Sequence, residues 1–237
     1  MKLRGYMLFF LFTVGGSAYG QSRPDSTFSL LFNPSLSFTH ANDPHINRWL
    51  EKYGYPAEPR VPCSLNFELA AIPADSRLMY TFRLSMITSG HDLTSFNIMP
   101  GFYVSAIKSR NFQLFAGASA GYHADIITLN GQLPPAYQEL ATQYHTTSLA
   151  LRRTGLTAEP AVRAFWYPIH CGLLQIGVYG GLGYDFDFNS KWRLGYYSND
   201  HGRYSHFKKL NKPDDQYKVT EHGFSLNAGL SFRFNLH

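Results

Sequence analysis

The sequence predicts an all-β fold, namely an eight-stranded antiparallel β-barrel that crosses a membrane with its strands. Charged residues make up 16% of the 237 residues and aromatic residues also 16%, which differs from the high charge of disordered chains. Beyond residue 20, no apolar run approaches the roughly 18 residues of a membrane-spanning helix. Apolar and polar residues instead alternate over long segments, as in strands whose two faces meet different surroundings.

The N-terminus predicts export from the cytoplasm. Lys2 and Arg4 precede the apolar segment 6–14, and Ala18 and Gly20 are small residues just before a cleavage position. These features are typical of a secretory signal peptide. We therefore expect residues 1–20 to be a signal peptide and residues 21–237 to form one barrel domain. Removal of the signal peptide would also remove Lys2 and Arg4, which lowers the net charge of +5 for the whole chain. The net charge therefore does not indicate a nucleic-acid partner.

Eight segments show the alternation of a strand. In the last one, apolar residues at every even position from Phe224 to Leu236 oppose polar residues or Gly at the odd positions. A period of two residues places the two sets on opposite faces of a strand. The other clear segments are 77–86, 96–106, 112–125 and 174–188, and the weaker ones are 27–39, 61–72 and 156–168.

The connections between these segments predict the orientation of the barrel. The turns 73–76, 108–111 and 169–172 are short and fall at one end, whereas the connections at the other end are mostly longer: 40–60, 89–92, 129–154 and 189–221. Outer-membrane barrels have short periplasmic turns and longer extracellular loops. A soluble sandwich would instead expose an uninterrupted apolar face to water. Within the long connections, segments 44–53 and 135–144 could each form a short helix that caps the barrel.

The apolar faces carry no charged residue and are predicted to face lipid, where charge is costly. The opposite faces must then fill a narrow lumen, where polar groups have to satisfy one another. They carry a nearly balanced set of charges that we expect to form a structural network in the lumen: Glu68, Arg83, Glu159, Arg163 and Arg233. Counting back from the turn 73–76 predicts that Glu68 faces Thr81, with Arg83 on the diagonal.

The C-terminal strand carries a recognisable motif. Asn227 is followed by Gly229 and then by the alternate aromatic residues Phe232 and Phe234. This pattern resembles the assembly signal that outer-membrane barrels present to the barrel-insertion machinery. With the signal peptide and the alternating strands, the whole mature chain resembles small outer-membrane β-barrel proteins of Gram-negative bacteria, most of all the barrel-only, PorT-like family common in Bacteroidetes. The departure is an ending on His237 rather than on an aromatic residue.

The resemblance implies integral residence in the outer membrane and assembly by the insertion machinery, but it does not define an activity, because this fold hosts pores, enzymes and adhesins. One candidate site lies in the upper lumen, where His123, Asp125, Asp185 and Asp187 gather near Glu159. Carboxylates beside a His could perform acid–base chemistry. The outward faces lack the polar trio of lipid A-modifying enzymes, so a polar plug or vestibule is favoured. No catalytic residue, cofactor or metal is assigned. Cys63 and Cys171 fall at opposite ends of the barrel and are expected to be unpaired.

The second candidate site is segment 189–221, where basic and aromatic residues are interleaved. Its predicted interaction surface comprises Lys191, Trp192, Arg193, Lys208, Lys209 and Lys212. At the cell surface the nearest anion is the phosphate of lipopolysaccharide. A protein is the alternative partner. The sequence therefore predicts a monomeric outer-membrane barrel with a structural or surface-interaction role. The alternatives are a lipid-modifying enzyme and a narrow channel or accessory subunit of a secretion complex.

Overall fold

The computed structural model describes residues 28–39, 44–55, 63–74, 76–89, 93–109, 111–129, 138–139, 142, 149–188, 190–198, 206–209, 216–219 and 222–236. The expected signal peptide lies outside them. The helix α1 spans Pro44–Lys52, as the sequence predicts. The strands are β1 Phe28–Thr39, β2 Cys63–Ile72, β3 Leu78–Ser89, β4 Leu93–Lys108, β5 Phe112–Leu129, β6 Leu149–Cys171, β7 Leu174–Phe188, β8 Ser190–Ser198, β9 His206–Lys209, β10 Gln216–Val219 and β11 His222–Leu236.

Eight of these strands close into a barrel. Strands β1 to β7 pair in chain order, and β11 pairs with both β7 and β1. All of these pairings are antiparallel. The eight-stranded antiparallel barrel predicted by the alternation is therefore confirmed.

The barrel has a reversed polarity compared with a soluble protein. Large apolar side chains point outward, with Leu156 58%, Leu182 57% and Phe224 62% exposed. The residues between them point inward, and many are polar or charged and buried, including Asn66, Ser119 and Thr157. Within the described segments, no helix has the length and apolar character needed to cross a membrane.

The register between β2 and β3 differs from the predicted one. Glu68 lies opposite Arg83, and it is Ala70 that lies opposite Thr81. The prediction was wrong by two residues because the turn is longer than four residues. The backbone nitrogen of Leu78 donates a hydrogen bond to Ser76 Oγ at 2.9 Å, and Arg77 already accepts a backbone hydrogen bond from β4, so the β2–β3 ladder begins only at Ala71 and Tyr80.

The outer end of the barrel continues as an extended wall, which we call the outer extension: residues 149–155 of β6 together with β8, β9 and β10. Strand β8 follows β7 almost directly and pairs with β6, Leu194 lying opposite Leu151. Strands β9 and β10 pair with the other edge of β8. The expectation that 129–154 and 189–221 are simple loops is therefore wrong for these residues. Alternation continues through β8, where Trp192, Leu194 and Tyr196 are buried.

Inward glycines make room for large aromatic side chains. A Cβ atom built on Gly117 would overlap the carbonyl oxygen of Phe102 and the Cα atom of Tyr103, so the neighbouring strand approaches too closely for any side chain there. Tyr103 is completely buried in the lumen. The absence of a side chain at Gly117 thus allows a bulky residue next to it.

Candidate functional sites in the lumen and at the outer rim

Two ion pairs cross the middle of the lumen. Arg83 pairs with Glu159, and Arg163 pairs with Glu68, with all four side chains at most 6% exposed. Glu68 and Arg83 are cross-strand neighbours, yet each has its ion-pair partner on β6. The expected ionic network is present, but its pairs connect opposite walls of the barrel rather than adjacent strands.

Other polar groups complete this network. Asn33 Nδ2 donates a hydrogen bond to Glu68 Oε1 at 3.1 Å, and Ser225 Oγ donates one to Glu159 Oε1 at 2.9 Å. The guanidinium of Arg163 lies over the Tyr103 ring, 4.1 Å from its centroid. Buried charges with several partners of this kind are typical of a structural core network.

Arg233 lies apart from these pairs. Its Nη2 atom donates a hydrogen bond to Ser29 Oγ at 3.0 Å, and among the described residues no carboxylate forms an ion pair with it. Its position near the C-terminal end of β11 explains this, because the ion pairs lie at the level of Glu68 and Glu159. Arg233 therefore belongs to the polar lining but not to the ion network.

Aromatic side chains fill the lumen towards the end with the short turns. Phe165 stacks on Tyr179 with 5.3 Å between ring centroids, and it meets Phe115 edge-on at 5.8 Å. The hydroxyl of Tyr167 shares a hydrogen bond with Ser231 Oγ at 2.9 Å. All of these rings are buried. The turn end of the lumen is thus occupied by side chains.

The upper-lumen cluster is centred on Arg153, which was not among the predicted site residues. Arg153 binds Asp125 through Nη2 at 2.6 Å and through Nε at 2.7 Å, and its Nη1 lies 3.6 Å from Asp187 Oδ2. Ser95 Oγ also donates to Asp125. Arg153 was not predicted because segment 129–154 was expected to be a loop, although the alternation of Leu149, Leu151 and Arg153 was a usable signal.

His123 completes the cluster, as the sequence predicts. Its Nε2 atom is 3.8 Å from Asp125 and its Nδ1 atom 3.6 Å from Asp187. These distances are too long for hydrogen bonds. Asp185 lies two residues before Asp187 on the same face of β7. Arg153 thus binds Asp125 and approaches Asp187, two of the carboxylates that acid–base chemistry would need.

An apolar lid covers this cluster from the outside. Trp49 and Leu50 of α1 pack against buried residues of the barrel wall and the outer extension: Ile127, Leu129, Leu149, Leu151, Trp192, Leu194 and Tyr196. The Arg153 guanidinium lies 5.1 Å from the Trp192 ring centroid. Tyr55 stacks on Trp49 at 6.3 Å, and its burial raises the pKa of its hydroxyl.

The predicted interaction surface is therefore only partly a surface. Trp192 is completely buried, because it lies on the inward face of β8, and it has to be removed from the set. Lys191, Arg193, Lys208 and Lys209 are exposed, while Lys212 lies outside the described residues. Arg152 on β6 lies directly opposite Arg193 and adds a basic residue from outside the predicted segment.

The residues of the assembly-like motif have structural contacts in the folded barrel. Asn227 Oδ1 accepts a hydrogen bond from Asn66 Nδ2 at 3.0 Å, and Gly229 lies opposite Ser35. Phe232 stacks on Phe32 at 6.4 Å. Phe234 lies on the outer face, 42% exposed. The role of this motif in assembly remains a prediction.

Two outward aromatic positions on β5 mark the height of the apolar band. Phe112 lies opposite Trp166, and ten residues further along Tyr122 lies opposite Leu156. Ten residues of strand span about 33 Å, or about 25 Å along the barrel axis at a tilt of about 40°. This is the height of the apolar band of outer-membrane barrels. The architecture and the band together define a transmembrane β-barrel.

Comparison with solved structures finds similarity to several outer-membrane proteins. Neisserial surface protein A has 6% identity and a TM-score of 0.47, with 88% of this chain and 97% of that chain covered. A major outer membrane protein from Thermus thermophilus has 12% identity and a TM-score of 0.47, with coverage of 89% and 100%. The outer membrane protein AlkL has 10% identity and a TM-score of 0.41, with coverage of 92% and 94%. No protein-family model and no curated protein sequence matches the chain.

Proposed function

We propose that the protein is an integral outer-membrane barrel with a structural or surface-interaction role. The observation that carries this proposal is the combination of an apolar outer band with a lumen filled by ion-paired and aromatic side chains. The outside of such a barrel contacts lipid, and its inside is a packed core of its own side chains. Its contacts with other molecules would then be made by the outer extension and α1.

The proposed orientation is supported by the relative position of the first and last strands of the barrel. The first residue of β1, Phe28, lies opposite Leu236 at the end of β11, on the side of the short turns. In outer-membrane barrels short turns face the periplasm. The outer extension and α1 would therefore face the outside of the cell, where lipopolysaccharide is the predominant lipid. We propose lipopolysaccharide as the first contact of the basic residues there, and a protein partner remains a second candidate.

The structure gives less support to a channel or an enzyme. A channel needs a continuous water path, whereas the aromatic residues, the ion pairs around Glu68 and Glu159, and the lid over Trp192 each occupy the lumen at a different level. A lipid-modifying enzyme needs reactive groups at the lipid-facing surface, whereas His123 and Asp125 are buried under the lid.

Two native cysteines provide a test of location and orientation. Cys63 begins β2 at the outer end, and Cys171 ends β6 at the turn end; both are exposed and free. Variants Cys171→Ser and Cys63→Ser each retain one thiol and would be treated, in intact cells, with a membrane-impermeant maleimide.

We expect the variant that retains Cys63 to be labelled in intact cells and the variant that retains Cys171 to be labelled only after the outer membrane is permeabilised. The two variants act as controls for each other. Labelling of Cys171 alone in intact cells would reverse the orientation, and recovery of the protein in the soluble periplasmic fraction would contradict the proposal.

A further inference from the structure

We propose that Arg152, Arg193 and Lys191 form a binding site for the phosphate groups of an outer-leaflet lipid. This inference rests on the proposed function, because it requires the outer extension to lie at the outer surface of the membrane. It assigns the lipid contact to one face of two neighbouring strands rather than to segment 189–221 as a whole.

The first observation is a pair of like charges that face each other. Arg152 on β6 and Arg193 on β8 are direct partners in the antiparallel ladder, so their side chains leave the sheet on the same face. Lys191 lies on that face as well, two residues before Arg193, and both are exposed. Like charges directly opposite each other destabilise a sheet, which an anion bound between them would reverse.

The charge of this group is not balanced by carboxylates in the parts of the chain that the structure describes. Strands β8, β9 and β10 contain no Asp or Glu, and β6 contains none between 149 and 158. The acidic residues of segment 189–221, namely Asp200, Asp214, Asp215 and Glu221, all lie outside the described residues. Lys209 on β9 lies opposite Gly195 and adds an exposed positive charge at the edge of the group.

The Arg152 guanidinium is held in place by an aromatic platform. It lies 5.6 Å from the centroid of Phe207, and Phe207 packs against Tyr197 at 5.4 Å. Its Nε atom is buried without a hydrogen-bond partner among the described residues. A guanidinium fixed in this way presents a planar set of donors, which suits the two-point binding of a phosphate group.

The depth of the site favours a lipid over a soluble anion. Leu156 and Phe188 face each other on the lipid side and are 58% and 48% exposed. Arg152 lies four residues beyond Leu156, which is about 13 Å along a strand and about 10 Å along the axis at the usual tilt. The basic group thus lies just outside the apolar band, at the level of lipid head groups.

The test compares the binding of phosphorylated and dephosphorylated lipid A, each dispersed in detergent micelles, to the full-length protein in the same detergent. The test variant is Arg152→Gln/Arg193→Gln. The matched control is Arg77→Gln/Lys108→Gln, which removes two exposed positive charges at the opposite end of the barrel. A third variant, Arg152→Lys/Arg193→Lys, keeps the charge and removes the planar donors. A mobility shift on heating in detergent gels confirms that each variant is folded.

We expect the Gln pair to lose about tenfold or more in affinity for phosphorylated lipid A, the control pair to change less than about twofold, and the Lys pair to fall between them. Loss of the preference for phosphorylated lipid in the Gln pair alone supports the site. An unchanged affinity of the Gln pair, while the parent still prefers phosphorylated lipid A, overturns the site but leaves lipopolysaccharide contact intact. If the parent protein shows no preference for phosphorylated lipid A, both the site and the proposed lipopolysaccharide contact are wrong. Competition by millimolar inorganic phosphate would overturn the assignment to a lipid.

Discussion

Replacement of Arg83 tests the pairing in the lumen. Arg83→Met removes the ion-pair partner of Glu159, a carboxylate with no exposed surface, and among the described residues leaves it with one side-chain hydrogen bond, from Ser225. Removing one partner of a buried ion pair costs about 3–5 kcal/mol, because the other charge stays buried without compensation. We expect a loss of this size in the free energy of unfolding, measured by urea titration of the barrel in lipid vesicles.

The double variants identify the partner. Arg83→Met/Glu159→Leu removes both charges, so it should be more stable than Arg83→Met by at least about 2 kcal/mol. Arg83→Met/Glu68→Leu instead removes one partner from each of the two ion pairs, so it should be less stable than Arg83→Met/Glu159→Leu. If Glu68→Leu restores as much stability as Glu159→Leu, or if Arg83→Met costs less than about 1 kcal/mol because water screens the charges, the description of the lumen is wrong.

Two further predictions concern the lid and the tight strand contacts. Trp192→Ala should remove about 3–5 kcal/mol of packing energy from the lid and make the outer extension sensitive to protease added to intact cells. Lys191→Ala, on the opposite face of β8, should leave the protease sensitivity unchanged. Equal cleavage of the two variants would show that the lid is not a packed core. Gly117→Ala should cost at least about 1–3 kcal/mol because its methyl group would meet backbone atoms, whereas Gly180→Ala has its nearest neighbour at 3.7 Å and should unfold at the same urea concentration as the parent.

The fold could be predicted because alternate residues of a membrane-spanning strand face lipid and the lumen, and therefore differ in polarity. The pattern of β11, with apolar residues at every even position from Phe224 to Leu236, specifies a strand and also which face meets lipid. The register could not be derived in the same way. A shift of two residues keeps every side chain on its face, so the alternation cannot distinguish Thr81 from Arg83 as the neighbour of Glu68, and turn hydrogen bonds decide it.

The ion pairs were predictable as a set but not as pairs. Charges confined to a narrow lumen must find partners there, which makes the gathering of Glu68, Arg83, Glu159 and Arg163 predictable. Their pairing across the barrel depends on closure, which brings β6 opposite β2 and β3. Sequence distance carries no information about that contact.

The outer extension was missed because strand patterns beyond the membrane lose their contrast. Outside the lipid band the outward face of β8 carries Lys191 and Arg193, while the inward face carries Trp192 and Leu194. The apolar set has therefore moved from the outer face to the inner face, where it packs under α1. When only lipid-facing apolar residues are followed, the predicted strand ends at Phe188, and the residues beyond it are assigned to a loop.

Ionic conductance of the purified protein in planar lipid bilayers tests whether the lumen is filled, with heat-dependent gel mobility used to confirm that the barrel is folded. Side chains of this chain fill the lumen from the aromatic residues to the lid, so we expect a current no higher than that of the protein-free bilayer. Stable conductance steps from the folded parent protein would show that the lumen is open, because they require a continuous water path through the barrel.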